Sequence, residues 1–228
     1  MVPRLRLSAA HFDYAGVIAY PLLMGSHEPM VQEALRRTVW PGGVVLDLGA
    51  SVGPFSLLAA WLVGPQGHVI SVEPQREYVQ AINANAEMNG FRNIRVLHAA
   101  AGSHRGDMDV VITSEPMWTL MSSVGSHKLQ TARERVNVLA IDDLVTAGEI
   151  PVPDVIKIDV EGSEIDVLNG MSQLLSRERP IIIAEMHDKN AEFCQVMADY
   201  RYDTTNLDGP ERVQDAGPSV HVLCSPRT

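Results

Sequence analysis

The run Val44-Val45-Leu46-Asp47-Leu48-Gly49-Ala50-Ser51-Val52-Gly53 constrains this chain more than any other stretch. Its apolar residues are too few for a helix but suit a strand buried on both faces, as in the middle of a parallel sheet. Gly49 and Gly53 then frame a turn, and Phe55 to Val63 reads as an apolar helix. Strand, glycine turn and helix make the opening unit of an α/β fold whose ligands lie in the crevice at the carboxyl ends of the strands. Glycine there adopts backbone angles forbidden to side chains and lets a ligand lie against the main chain.

The spacing selects the ligand. A dinucleotide fold carries G-x-G-x-x-G, with the glycines cradling a pyrophosphate. This chain carries D-x-G-x-x-x-G, and an acidic residue ahead of the loop suits an ammonium group better than a phosphate. A second acid closes the next strand, where His68-Val69-Ile70-Ser71-Val72 runs into Glu73-Pro74. A carboxylate there can accept both hydroxyls of a ribose. One acid for a cationic amino acid and one for a ribose describe S-adenosylmethionine. The predicted cofactor residues are Asp47, Gly49, Ala50, Ser51, Val52 and Gly53, together with Glu73 and Pro74. A turn without a ligand, with Glu73 as a solvated strand end, is the plainer alternative.

A length of 228 residues suits one domain with a full core. Residues 1–43 are expected to form an N-terminal helical cover, with Pro29 to Val39 as its helix, and residues 44–228 the sheet-bearing domain. A formal net charge of -10 argues against a nucleic-acid backbone or an anionic membrane surface as partner. No apolar run approaches the ~20 residues of a membrane span. The apolar part of the N-terminus is too short for a secretion signal. Cys194 and Cys224 have no metal or redox spacing, so a cytoplasmic protein with reduced thiols is expected. A homodimer is compatible with these features.

Further along, a helix from about Arg76 to Met88 ends at Asn89-Gly90, and Ile94 to Leu97 forms a third strand. The small residues Ala99-Ala100-Ala101-Gly102 leave room for a flat ring, which places the adenine near Ala100; ordinary tight packing accounts for them equally. Met108 to Thr113 and Arg135 to Ile141 read as strands. The connection between them carries Met117, Trp118, Met121 and Gly125 and reads as a lid or as a satellite cluster under a loop. Asp142 is expected to cap the short helix that follows it.

The stretch Ile156-Lys157-Ile158-Asp159-Val160-Glu161-Gly162-Ser163-Glu164 reads as a central strand ending in carboxylates, followed by one helix through Leu175. Ile181-Ile182-Ile183-Ala184-Glu185-Met186-His187 is another buried strand. Both ends open on the edge that carries the glycine turn, so Asp159, Glu161, Glu185 and His187 are expected to converge there. Lys157 is expected to pack its stem in the core with its ammonium on a carboxylate. Glu161 is a candidate cap for the next helix. Two C-terminal strands, Arg201 to Leu207 and Ser219 to Cys224, suggest an antiparallel hairpin.

The ordered pieces D-L-G-A-S-V-G, V-E-P, N-A-E-M-N-G, I-K-I-D-V-E-G-S-E and I-I-I-A-E-M-H resemble the FkbM family of S-adenosylmethionine-dependent methyltransferases over about Val44 to His187. The family often carries asparagine where Ser51 stands. The resemblance implies a Rossmann-like class I methyltransferase fold, with a mostly parallel seven-stranded sheet closed by the C-terminal hairpin. It also implies O-methylation of a hydroxyl on a small natural product or sugar-like acceptor. Two other readings remain, an N-methyltransferase and a non-catalytic S-adenosylmethionine-binding protein. For catalysis, His187 is the expected base, because imidazole titrates near neutral pH, with Asp159 and Glu185 orienting it or accepting from the substrate hydroxyl. The rival is Mg2+ held by Asp159 and Glu185, with His187 as a further ligand, lowering the hydroxyl pKa.

Overall fold

The computed structural model describes residue 5 and residues 27–113 and 131–227. Helix α1 (Pro29–Thr38) leads into β1 (Val44–Leu48), α2 (Pro54–Val63), β2 (His68–Glu73), α3 (Arg76–Met88) and β3 (Ile94–His98). Short β4 (Ala100–Ala101) and the pair β5 (Gly106–Thr113) and β6 (Thr131–Leu139) follow, then α4 (Ile141–Thr146) and β7 (Val155–Ile158). Helices α5 (Glu164–Asn169) and α6 (Ser172–Arg177) precede β8 (Ile181–His187), α7 (Asn190–Asp199), β9 (Tyr202–Asn206) and β10 (Ser219–Pro226).

Seven strands form one sheet in the order β3-β2-β1-β7-β8-β10-β9. Strands β3, β2, β1, β7 and β8 run parallel, and β10 is antiparallel to both β8 and β9. This is the expected α/β fold with its C-terminal hairpin. The strand order reverses between β1 and β7, and a crevice opens at such a switch point. Among the described residues, no helix is long and apolar enough to cross a membrane.

Period-two alternation sorts β1 between two cores. Leu46 and Leu48 pack with Leu168, Leu175 and Phe193 on one face, and Val45 packs with Leu35, Leu57 and Leu58 on the other. Helix α1 therefore belongs to the core through Val31, Ala34 and Leu35. Asp47 shares the face of Val45, and in β7 Lys157 shares the face of Val155. Cross-strand register places Ser71, Asp47 and Lys157 in one row.

Three readings of the sequence change, and a fourth gains a packing context. The strand expected over Arg135 to Ile141 begins at Thr131 and ends at Leu139, and Ile141 opens α4. Asp142 does not cap α4; its carboxylate accepts from Gln173 N at 2.8 Å and Leu174 N at 2.9 Å, capping α6. The single helix expected after Glu164 breaks in two at Gly170-Met171. A Cβ on Gly170 would stand 2.0 Å from the Gly102 carbonyl oxygen, so the close backbone approach fixes the break. Finally, Ala100 and Ala101 pair with Val138 and Leu139, and a Cβ on Gly102 would meet Val138 at 2.8 Å. Tight packing accounts for Gly102, and the pairing of Ala100 leaves its place beside the adenine as an expectation.

Candidate active site

The turn from β1 to α2 is held in left-handed conformations at Gly49 (φ 75°), Ser51 (φ 50°) and Gly53 (φ 90°). Gly49 has a second reason to be glycine: a Cβ there would lie 1.7 Å from the Asp159 carbonyl oxygen, where β1 and β7 converge. Ser51 sits in a left-handed region that asparagine tolerates better than most residues. Gly49 N and Ala50 N both donate to Val72 O, at 2.9 and 3.2 Å, tying the turn to the end of β2. Val52 is buried, and its carbonyl accepts from Asn85 Nδ2 at 3.0 Å. Gly53 precedes Pro54 at the first position of α2, where a missing N–H costs nothing.

Glu73 closes the turn. Only 4% of it is exposed, with Oε2 accepting from Ser51 N and Oε1 from Gln75 N, each at 2.8 Å. Burial pushes this carboxyl up to about 7 despite those two donors. Pro74 O lies 2.9 Å from His98 Nε2. Each Glu73 oxygen keeps a further lone pair, so a pair of ligand hydroxyls can add to the backbone donors already present.

Asp47 is placed differently from its expected role at an ammonium. It is 1% exposed, Ser56 Oγ donates to its Oδ2 at 2.5 Å, and Lys157 Nζ lies 3.8 Å from its Oδ1. Ser56 Oγ also lies 2.8 Å from Ser71 Oγ. Burial raises the Asp47 carboxyl, opposed by Lys157 and Ser56. The Lys157 ammonium donates to Asp159 Oδ2 at 3.2 Å and stands 5.0 Å from the centre of the Phe55 ring. Burial works against that ammonium, yet Asp159 and Asp47 outweigh it and hold Lys157 above its ordinary value. As expected, the Lys157 stem lies in the core and its charge on carboxylates. His27 stacks on Phe55, their ring centres 5.6 Å apart.

Beyond Asp159 the acidic edge assembles around two imidazoles. His187 Nδ1 lies 3.0 Å from Glu164 Oε1, and its Nε2 lies 3.3 Å from Glu161 Oε2 and 3.8 Å from Glu185 Oε1. Glu164 is fully buried and also accepts from Gly162 N at 2.9 Å. The Glu164 contact, reinforced by Glu161 and Glu185 against the effect of burial, pushes His187 up to about 9. At neutral pH both ring nitrogens therefore carry protons, and His187 is a donor until it is deprotonated. Glu161 does not cap α5: it sits left-handed at φ 54° and faces His187 instead. Burial raises the carboxyls of both Glu161 and Glu185.

The second imidazole, His221 on β10, stands opposite Glu185 in register. Sequence reasoning assigns no role to it or to Glu28, and reads Glu164 only among the carboxylates that end β7. An oxygen or nitrogen donor from each of Asp159, Glu161 and His187 lies within 4.8 Å of the others, and so do donors from Glu28, Glu185 and His221. Asp159 and Glu185, read together as a metal pair, thus fall into different donor groups: Asp159 lies with Glu161 and His187, and Glu185 with Glu28 and His221. The connection read as a lid, with Met117, Trp118, Met121 and Gly125, lies outside the described residues.

The pattern described as "Methyltransferase FkbM domain" matches residues 47–206. Hexuronic acid methyltransferase AglP of Haloferax volcanii is 28% identical over 145 residues, covering 63% of this chain and 56% of that protein. The chain thus spans little more than half the length of this relative. The 31-O-demethyl-FK506 methyltransferase FkbM of Streptomyces tacrolimicus is 27% identical, covering 82% of each. Among solved structures, a methyltransferase FkbM from Methylobacillus flagellatus superposes with a TM-score of 0.53 at 17% identity, covering 96% of this chain and 56% of that one. A methyltransferase from Geobacter sulfurreducens gives 0.54 at 15% identity, covering 96% and 92%.

Proposed function

The chain belongs to the FkbM family of methyltransferases, and from that premise we propose that it moves the methyl group of S-adenosylmethionine to a hydroxyl of a small sugar-like or natural-product acceptor. The observation that carries this reading is Glu73, a nearly buried carboxylate hydrogen-bonded to the glycine turn at Ser51 and positioned for ribose hydroxyls. The turn from Gly49 to Gly53 and Pro74 complete the cofactor's bed. Asp47, buried beneath the turn, contributes through the field of the Asp47–Lys157–Asp159 row and not by direct contact.

Methyl transfer forms a bond between the acceptor oxygen and the methyl carbon as the sulfur–carbon bond breaks, and the hydroxyl proton leaves to a base. The proposed base is His187, once it has lost its own proton, with Glu164 holding the ring from behind and Asp159 and Glu185 beside it. A base of this kind contributes ~10²–10⁴-fold, and alignment of oxygen, methyl and sulfur several kcal/mol more. The names of AglP and of the Streptomyces enzyme, a hexuronic acid methyltransferase and a 31-O-demethyl-FK506 methyltransferase, support an oxygen acceptor on a polyhydroxylated molecule.

The acidic edge of Asp159, Glu161 and Glu185 also suits a cationic group, which favours an amine acceptor as the second reading. Incubation with methyl-labelled S-adenosylmethionine and a panel of polyols, macrolides and amines separates the two. Labelled ether products formed by the wild type and reduced at least 100-fold in His187→Ala support O-methylation. Labelled amines with rates indifferent to His187→Ala overturn it.

A further inference from the structure

We propose that His221, Glu28 and Glu185 bind one divalent transition-metal ion, with Asp208 as the outer carboxylate that orients the imidazole. His221 Nε2 stands 3.5 Å from Glu28 Oε2 and 3.8 Å from Glu185 Oε2. Donors each about 2.1 Å from one tetrahedral ion stand about 3.4 Å apart, close to both separations from His221, and all three donors lie within 4.8 Å of one another.

Both separations are ion-pair contacts, longer than a close hydrogen bond. Charge-assisted N–H···O bonds run ~2.7–2.9 Å, and the Glu28 Oε2 and His221 Nε2 atoms are both closed off from solvent with no hydrogen-bond partner. Two facing polar atoms left unsatisfied in this way are costly unless something sits between them. The other ring nitrogen is fully engaged: Nδ1 lies 3.0 and 3.1 Å from the two Asp208 oxygens, and the backbone N of His221 donates to Asp208 Oδ2 at 2.7 Å. A carboxylate behind one nitrogen fixes the tautomer that turns the other nitrogen's lone pair outward, the usual support of a metal-bound histidine. Glu185 is fixed likewise, with Ser219 Oγ donating to its Oε1 at 3.1 Å and leaving Oε2 toward His221.

Charge favours a dication over a proton. Asp208, Glu28 and Glu185 face His221, with Glu28 also 3.3 Å from His27 and Glu185 3.8 Å from His187, while Lys157 is committed to Asp47 and Asp159. A proton on His221 leaves the group two charges negative; a divalent ion on neutral His221 leaves it one. One nitrogen and two carboxylate oxygens suit Zn2+, Co2+ or Mn2+ better than Mg2+, which prefers an all-oxygen octahedron. Three protein ligands leave a coordination position open, and Glu185, whose Oε1 lies 3.8 Å from His187 Nε2, places the ion beside the acceptor edge.

The test uses the full chain stripped with a chelator, and its readout is metal binding, independent of methyl transfer. Calorimetry with Zn2+, and visible absorption with Co2+, should show a saturable equivalent that survives His187→Ala. Affinity should fall at least 100-fold in His221→Ala and Glu28→Gln, and at least ~10-fold in Asp208→Asn, which removes only the outer carboxylate and serves if the other variants do not fold. No saturable binding by the stripped wild type, or affinities unchanged in the folded variants, overturns the proposal.

Discussion

His187 Nδ1 and the fully buried Glu164 Oε1 lie 3.0 Å apart, so this acidic edge of the sheet is organised by a carboxylate shielded from solvent. Glu164 holds the ring from behind while Glu161 and Glu185 face its other nitrogen. The imidazolium is favoured until about pH 9. If His187 is the base, kcat rises with pH toward that value. In Glu164→Gln the rise moves toward the ordinary histidine value near 6.5. A wild-type profile flat from neutral to alkaline pH removes His187 from proton transfer.

The same shift has a stability counterpart. A group whose folded pKa lies above its unfolded one adds stability that is complete below about 6.5 and is lost as pH rises through about 9. Denaturant midpoints of the wild type should therefore fall across that window by more than those of His187→Asn. Equal slopes for the two proteins would count against the cage around His187.

Glu73 titrates near 7, and ribose hydroxyls need its ionised form as acceptor. Affinity for S-adenosylhomocysteine should thus decline as pH drops through about 7. Glu73→Ala should weaken binding at least tenfold at neutral pH, since a hydrogen bond to a charged group is worth ~1.5–3 kcal/mol. Calorimetry from acid to mildly alkaline pH measures both, and an affinity indifferent to the substitution excludes Glu73 from the cofactor's bed.

Lys157 neutralises two carboxylates in the core. Lys157→Met leaves Asp47, 1% exposed, without its cation and should cost ~3–5 kcal/mol in chemical unfolding. Adding Asp47→Asn should recover part of that loss. A single variant as stable as wild type would show that the row Ser71, Asp47, Lys157 carries no such burden.

Much of this was legible in the residues. The bounds of α3 fall where they were read, and the strand ends of β1, β2, β7 and β8 bring Asp159, Glu161 and His187 to one edge because parallel strands open on one side. The exchange between β6 and α4 was hidden, since Val136, Val138 and Ile141 look alike and only the corner at Ala140 separates strand from helix. Asp142 reads as a local cap, yet its partners lie thirty residues on in α6. Glu164 sits in the most distinctive stretch of the chain, but its role depends on how α5 leaves β7. Glu185 meets His221 through the antiparallel register of β10, and Glu28 joins them because α1 packs on β8 and β10, which no local pattern encodes.

The central claim is that the turn from Gly49 to Gly53 and Glu73 grip one nucleoside at the carboxyl edge of the sheet. A crystal structure with S-adenosylhomocysteine measures it most directly. Both ribose hydroxyls should lie ~2.5–3.0 Å from the Glu73 carboxylate, with the sulfur directed toward Asp159 and His187. A nucleoside bound elsewhere, with Glu73 still holding only Ser51 and Gln75, would contradict it.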